Sequence, residues 1–257
     1  MDYKGYLIDL DGTMFRGERL IDGARDLVND LIRRNIPYVF ITNNSTYTMD
    51  MIVGKLNRLG IRATEENMLT SSMVSANHIR SVNRTARCYV IGETGLRQAL
   101  ENENLTLAET DCDYVVVGLD KEISYEKLAK ASLLIQEGAR FIITNRDAAI
   151  PAEIGLLPGN GAIAAAIAVS TGVEPLCVGK PESLMMDEAV QKIGVNKSGI
   201  LMVGDNYETD IKAGLNADID TLMVLTGYST RECLKTVDEQ PTFVADNLHE
   251  WLQLKKA

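Results

Sequence analysis

The chain has 257 residues, 46% of them hydrophobic, and a formal net charge of −10 at pH 7. That length holds one large or two ordinary domains, with enough apolar material for real cores. The acidic balance excludes a general nucleic-acid surface, which needs clustered Lys and Arg, but leaves room for a small anionic ligand because local charge decides that.

The first expected element is a buried strand, Tyr6-Leu7-Ile8, closed by the turn Asp9-Leu10-Asp11-Gly12-Thr13. Residues two apart in extended chain point the same way, so Asp9 and Asp11 can address one cavity. A calcium loop is excluded because its glycine position holds Met14 and its last ligand position Leu20. Ala24, Leu27, Val28, Leu31 and Ile32 then repeat at helical spacing, with Asp22 placed to cap the helix. A strand over Tyr38-Val39-Phe40-Ile41 runs into Thr42-Asn43-Asn44, completing a βαβ unit with a parallel strand pair. Ile52, Leu56 and Leu59 give a helix stopped by Gly60, and a further helix is expected from about Glu65 to Arg80.

Ser81 to Thr85 is polar and without apolar period, and reads as a linker. Beyond it strands are expected at Cys88–Ile91, Tyr114–Val117 and Phe141–Ile143, and helices at Thr94–Leu100 and Tyr125–Gln136. Pro158-Gly159-Asn160-Gly161 reads as a turn into an Ala-rich helix whose small side chains suggest close packing. From Leu176 the first pattern returns: a short run into Gly179-Lys180-Pro181, a helix through Leu184, Ala189 and Ile193, and a strand Ile200–Val203 into Gly204-Asp205-Asn206. Strands at Thr221–Leu225 and Thr242–Val244 follow. The expected fold class is α/β, a parallel sheet built from both ends of the chain with an inserted α/β domain between them. Residues 1–80 and 178–257 would form the core and 81–177 the insert. Inside the insert, Val117-Gly118-Leu119-Asp120 loosely echoes the acidic turn but lacks its first carboxylate, so a second active site is not expected.

Cys88, Cys112, Cys177 and Cys233 are scattered, which argues against zinc or a disulfide framework and for a reducing, cytoplasmic setting. The longest apolar run, Ala162 to Val169, is too short to cross a membrane. A strand expected directly after Met1-Asp2-Tyr3-Lys4 leaves no room for a signal peptide.

Asp9, Asp11, Thr42 and Asp205 each lie just beyond an apolar strand-like run, and Lys180 follows a shorter one. In a parallel sheet these ends share one edge, so the residues converge. Carboxylates with water suit Mg²⁺. Lys180 and Thr42 add a positive charge and a hydroxyl, and such a set fits a phosphoryl group. One carboxylate could attack phosphorus while the second handles protons.

In these residues the chain resembles the haloacid dehalogenase (HAD)-like phosphohydrolases. All four signatures stand in order: Asp9-Leu10-Asp11-Gly12-Thr13, Thr42, Lys180, and Gly204-Asp205-Asn206-Tyr207-Glu208-Thr209-Asp210. Thr144-Asn145-Arg146-Asp147 and Leu157-Pro158-Gly159-Asn160-Gly161 resemble cap segments of the NagD-like, p-nitrophenyl phosphate-hydrolysing branch. The resemblance implies a doubly wound parallel sheet with an inserted α/β cap, Asp9 as nucleophile and Asp11 as acid/base, and Asp9, the Asp11 carbonyl, Asp205 and Asp210 around Mg²⁺. Thr42, Asn43, Asn44 and Lys180 would bind the phosphoryl group, and Asn145 and Asp147 the rest of the substrate. The implied partner is a small phosphorylated metabolite, with a homodimer as a further association and no membrane. A phosphomutase and a non-enzymatic aspartyl-phosphate receiver are the alternatives; the receiver would leave the insert without a role.

Overall fold

A computed structural model describes residues 3–152 and 154–255. The chain begins with β1 (Gly5–Ile8), a short hairpin β2 (Phe15–Arg16) and β3 (Arg19–Leu20), α1 (Ala24–Arg33), β4 (Tyr38–Thr42) and α2 (Met49–Arg58). It continues through β5 (Met68–Thr70), α3 (Ser71–Val82), β6 (Arg87–Ile91), α4 (Thr94–Asn102), β7 (Thr106–Leu107), β8 (Tyr114–Val117), α5 (Tyr125–Gln136) and β9 (Arg140–Ile143). A second hairpin, β10 (Ala149–Ala152) and β11 (Gly155–Pro158), precedes α6 (Asn160–Thr171), β12 (Leu176–Cys177) and α7 (Ser183–Ile193). The last elements are β13 (Ile200–Gly204), α8 (Lys212–Asn216), β14 (Asp220–Val224), β15 (Phe243–Ala245) and α9 (Leu248–Leu254).

These elements fold as two compact units. The first takes the chain up to Thr42, Asp50–Leu69, and the chain from Lys180 on; the second takes Asn43–Met49 and Thr70–Gly179. The boundary expected at residue 80 therefore lies earlier, and α3 belongs to the second unit, because it packs on α4. The outermost ends of the expected core, residues 1–2 and 256–257, lie outside the described residues.

The first unit holds a six-stranded sheet in the order β15-β14-β13-β1-β4-β5. Its central strands β1 and β13 are buried along their whole length, as strands covered on both faces must be. They pair in parallel, with Ile8 opposite Val203 on one side and Phe40 on the other. The chain winds one way from β1 to β5, then restarts beside β1 at β13 and winds the other way to β15. The carboxyl ends of β1 and β13 thus flank the point of reversal, where open α/β sheets bind their ligands.

Two local expectations change here. Asp22 does not cap α1: Gly23 holds that position in a left-handed conformation and no side chain bonds the helix start. The helix expected over 65–80 is divided into a 3₁₀ turn at Glu65–Asn67, β5 and α3. Asn67 Oδ1 accepts the Thr64 N–H at 2.9 Å, and Thr70 Oγ1 accepts the Met73 N–H at 3.2 Å. Such local bonds punctuate a stretch whose apolar period runs on uninterrupted.

The second unit holds a parallel five-stranded sheet, β12-β9-β8-β6-β7. Tyr89, Val115, Val117, Phe141 and Ile143 pack against Leu134 and Ile135 of α5 and Ile163 and Ile167 of α6. Small residues let α6 lie close to α5, where the hydroxyls of Ser132 and Ser170 meet at 2.9 Å. The segment 81–85 is a linker only in its second half, since α3 runs to Val82 and Asn83 Oδ1 accepts the Thr85 N–H. The echo at Asp120 is a closed structural pair: its carboxylate accepts from Lys127 Nζ at 2.7 Å and from the Glu122 N–H at 2.9 Å. All four cysteines are free. Among the described residues no helix is long and apolar enough to cross a membrane.

Candidate active site

Strand pairing carries one residue past β1, where the Asp9 N–H donates to Val203 O at 2.9 Å. This fixes Asp9 at the reversal point of the first sheet, 7% exposed. β13 delivers Asp205 next to it, 3% exposed. The chain then makes one π-type turn, Tyr207–Ile211, with the Ile211 N–H reaching Asn206 O. The wider turn folds Asp210 back beneath its own approach, so Asp210 Oδ2 accepts the N–H groups of Asp205 (3.1 Å) and Asn206 (3.0 Å). Carboxylate oxygens of Asp9, Asp205 and Asp210 all lie within 4.8 Å of one another.

Lys180 enters this cluster from the start of its segment, 2% exposed. Its Nζ donates to Asp9 Oδ1 at 2.5 Å, Asp210 Oδ1 at 2.7 Å and Ile41 O at 3.3 Å, using all three N–H bonds. Burial would strip its charge, but Asp210 and Asp9 outweigh that and hold its pKa above the usual lysine range. Asp9 is raised well above the ordinary carboxylate range, first by burial and then by the charge of Asp210, against the pull of Lys180. Asp205 is pushed up to about 6, first by burial and then by Asp210. After burial, both shifts share a second cause: three buried carboxylates face a single ammonium, so negative charge is left uncompensated. Hard oxygen donors crowded in this way suit a small divalent cation.

Asp205 is further aimed by Thr13, whose Oγ1 donates to Oδ1 at 3.1 Å, and by the Tyr228 N–H, which donates to Oδ2 at 2.6 Å. Gly12 has φ +91°, and a Cβ there would run into the Asp205 carboxylate. Asp11 stands outside the cluster. Its side chain is exposed, and its backbone bridges to Phe15, with the Gly12 N–H donating to Phe15 O at 2.8 Å. Its pKa is raised by the protein packed around the carboxyl, opposed by Lys55 first and Lys180 second. Lys55, which the sequence did not single out, lies 3.9 Å from the Phe15 ring centre and 3.6 Å from Glu18.

Thr42 ends β4 and is 3% exposed. Asn43 and Asn44 follow it in the chain but belong to the second unit, as do Asn145 and Asp147. Asn44 Oδ1 accepts from the Thr46 N–H and Oγ1, both at 3.0 Å, shaping the turn there. Asn145 is 5% exposed; its Nδ2 donates to Asn43 O at 3.0 Å and Thr144 Oγ1 at 3.2 Å, and its Oδ1 accepts the Asp147 N–H at 3.1 Å.

A doubly wound sheet with buried carboxylates and one lysine at its reversal point defines a class of phosphoryl-transfer folds. Residues 6–106 match the family described as haloacid dehalogenase-like hydrolase, and residues 177–251 match the related family described as HAD-hydrolase-like. The chain is 51% identical over 250 residues to the 5'-nucleotidase YutF of Bacillus subtilis, covering 97% of this chain and 98% of that protein. It is 45% identical over 250 residues to the acid sugar phosphatase of Staphylococcus saprophyticus, covering 97% and 96%. A crystal structure of a double mutant thermostable NPPase from Geobacillus stearothermophilus superposes with a TM-score of 0.92 at 47% identity, covering 98% of this chain and 99% of that one. The chain belongs to the haloacid dehalogenase-like hydrolases, in the branch that holds these phosphatases.

Proposed function

We propose that this chain is a Mg²⁺-dependent phosphatase that hydrolyses small phosphomonoesters through an aspartyl-phosphate. The observation that carries the reading is the buried Asp9 carboxylate, held by Lys180 at the sheet's reversal point beside Asp205 and Asp210. Asp9 attacks phosphorus, and the bond from phosphorus to the leaving oxygen breaks. Asp11 gives that oxygen a proton, then takes one from the water that attacks phosphorus; the bond from Asp9 to phosphorus breaks, freeing the carboxylate and releasing phosphate. Lys180 stays cationic throughout, orienting Asp9 and offsetting charge on the phosphoryl oxygens, while Thr42 and the N–H groups that follow it hold those oxygens. Asp9, Asp205 and the Asp11 carbonyl would hold the Mg²⁺, with Asp210 fixing Asp205 and Lys180. When bound, Mg²⁺ supplies positive charge to the phosphoryl oxygens.

The second unit acts as a cap that chooses the leaving group. The names of the relatives favour nucleotides and sugar phosphates as substrates, and the scattered free thiols suit a cytoplasmic setting. A homodimer is part of this reading, since Ile154 and Leu156 of the second hairpin and Val169 of α6 are exposed apolar side chains. Light scattering of the purified chain tests it.

Steady release of nitrophenol from p-nitrophenyl phosphate with Mg²⁺ tests the activity. Asp9→Asn is expected to retain the fold and lose turnover. Wild-type-like rates in that variant would sink the covalent route.

A further inference from the structure

The backbone carbonyl of Asn43, the residue next in the chain after Thr42, accepts two side-chain hydrogen bonds within the second unit. Asn145 Nδ2 donates to it at 3.0 Å, and Ser71 Oγ donates at 2.9 Å. Ser71 is wholly buried, and Asn145 nearly so. The Asn43 side chain lies against Gly179, whose missing Cβ would stand 2.5 Å from Asn43 Oδ1 and would also meet Thr144 O. Gly179 is the residue immediately before Lys180. The same cluster therefore grips the chain one residue after Thr42 and one residue before Lys180. It is closed on its inner side by Asn160, whose Nδ2 donates to Asn145 O at 2.9 Å, Thr144 Oγ1 at 3.3 Å and Val117 O at 3.2 Å.

We propose that Ser71 and Asn145 are positioning residues for the phosphatase reaction: they clamp the Asn43 carbonyl and so orient the Asn43–Asn44 peptide, and with it the Asn44 N–H, toward the phosphoryl group. This rests on the phosphatase reading and adds to it a role for the second unit besides choosing the leaving group. In place of the direct substrate contact expected for Asn145, both of its N–H bonds and its carbonyl oxygen are spent on holding this cluster together. A peptide whose carbonyl is fixed by two donors has its N–H direction fixed too, since the amide is planar. A misplacement of about 1 Å at a positioning group costs up to about a hundredfold in rate.

The test compares wild type, Ser71→Ala and Asn145→Asp on p-nitrophenyl phosphate, a sugar phosphate and a nucleoside monophosphate, with inorganic phosphate as a competitive inhibitor and melting curves alongside. Ser71→Ala removes one of two neutral hydrogen bonds and should lower kcat/KM about fivefold. Asn145→Asp keeps the shape but turns an anionic oxygen toward a carbonyl, and should lower it at least ~10-fold. The factor should be the same for all three esters, and the inhibition constant for phosphate should rise with it, because the clamp acts on the phosphoryl site and not on the leaving group. Unchanged kinetics would overturn the proposal. So would factors differing several-fold between esters, which would make Asn145 a leaving-group contact, or activity losses that merely track loss of folded protein in both variants. A wild type without turnover would instead sink the phosphatase reading itself.

Discussion

Asp9 and Asp11 stand two residues apart and meet different surroundings. Asp9 is buried against Lys180, with Asp205 and Asp210 beside it, whereas Asp11 is exposed and feels Lys55 before Lys180. Paired carboxylates in unlike environments divide their labour: in the proposed mechanism Asp9, whose pKa burial raises, attacks as the carboxylate once Lys180 and a bound Mg²⁺ offset its charge, and Asp11 moves protons. Asp11→Asn should therefore lower kcat by roughly 10²–10⁴-fold for esters of poor leaving groups. The loss should shrink for p-nitrophenyl phosphate, whose leaving group needs little protonation; an equal loss on alkyl and nitrophenyl esters in presteady-state release of the alcohol would contradict the role. The cysteines give a second prediction at this scale. Cys88 is fully buried, and its thiol is pushed up to about 12 by burial, with the charges of Cys112 and Asp113 adding to it. Thiolate is the reactive form, so Cys88 should resist a thiol reagent at pH 8 until the chain is unfolded, as peptide mapping of alkylated protein would show.

Among the elements, the acidic turn between β1 and the first hairpin depends on Gly12. Its φ of +91° is one that side chains rarely adopt, and its open face admits the Asp205 carboxylate. Gly12→Ala should cost about 1–3 kcal/mol from the backbone strain alone. It should also displace Asp205, so Mg²⁺ dependence and urea unfolding should worsen together; a variant with normal Mg²⁺ affinity would show that the close approach is dispensable. The three apolar strands that end in Asp9, Thr42 and Asp205 were legible because buried parallel strands are short continuous runs. The first hairpin, β5 and the ribbon β10–β11 were not. Phe15 to Leu20 alternates too briefly to register, and Met68-Leu69-Thr70 shares a helical period with its neighbours. Ile150, Ile154, Leu156 and Leu157 form a ribbon largely exposed in β11, so no core dictates their spacing. Lys55 was missed for a related reason: on α2 it reads as an ordinary surface lysine until Phe15 is placed beneath it.

For the molecule as a whole, the excess of buried negative charge links stability to both pH and metal. The folded state holds the Asp205 proton up to about pH 6, against an ordinary value of 3.8. That contribution to stability is complete below the ordinary value and is lost as the pH rises through about 6. Without divalent cations the melting temperature should accordingly fall between pH 5 and pH 8. Mg²⁺ should restore it at pH 8, by about 2.7 kcal/mol when present at a hundred times its dissociation constant, and EDTA should reverse the gain. At pH 5 protons compete with the cation, so the effect should be smaller; equal Mg²⁺ shifts at both pH values would count against the carboxylate cluster as the site.

The sequence by itself determined the strands that end in Asp9, Thr42 and Asp205, because hydrophobic period and turn chemistry act locally along the chain; the order in which they lie came from the fold. What the tertiary structure decided is the division of labour among those residues. Asp210 turns inward to hold Asp205 and Lys180, Asn145 serves the Asn43 carbonyl, and α3 joins the second unit. Hydrogen-bond partners more than a hundred residues apart, such as Asn43 and Asn145, meet only when the strands that carry them are laid side by side, and no local pattern encodes that pairing.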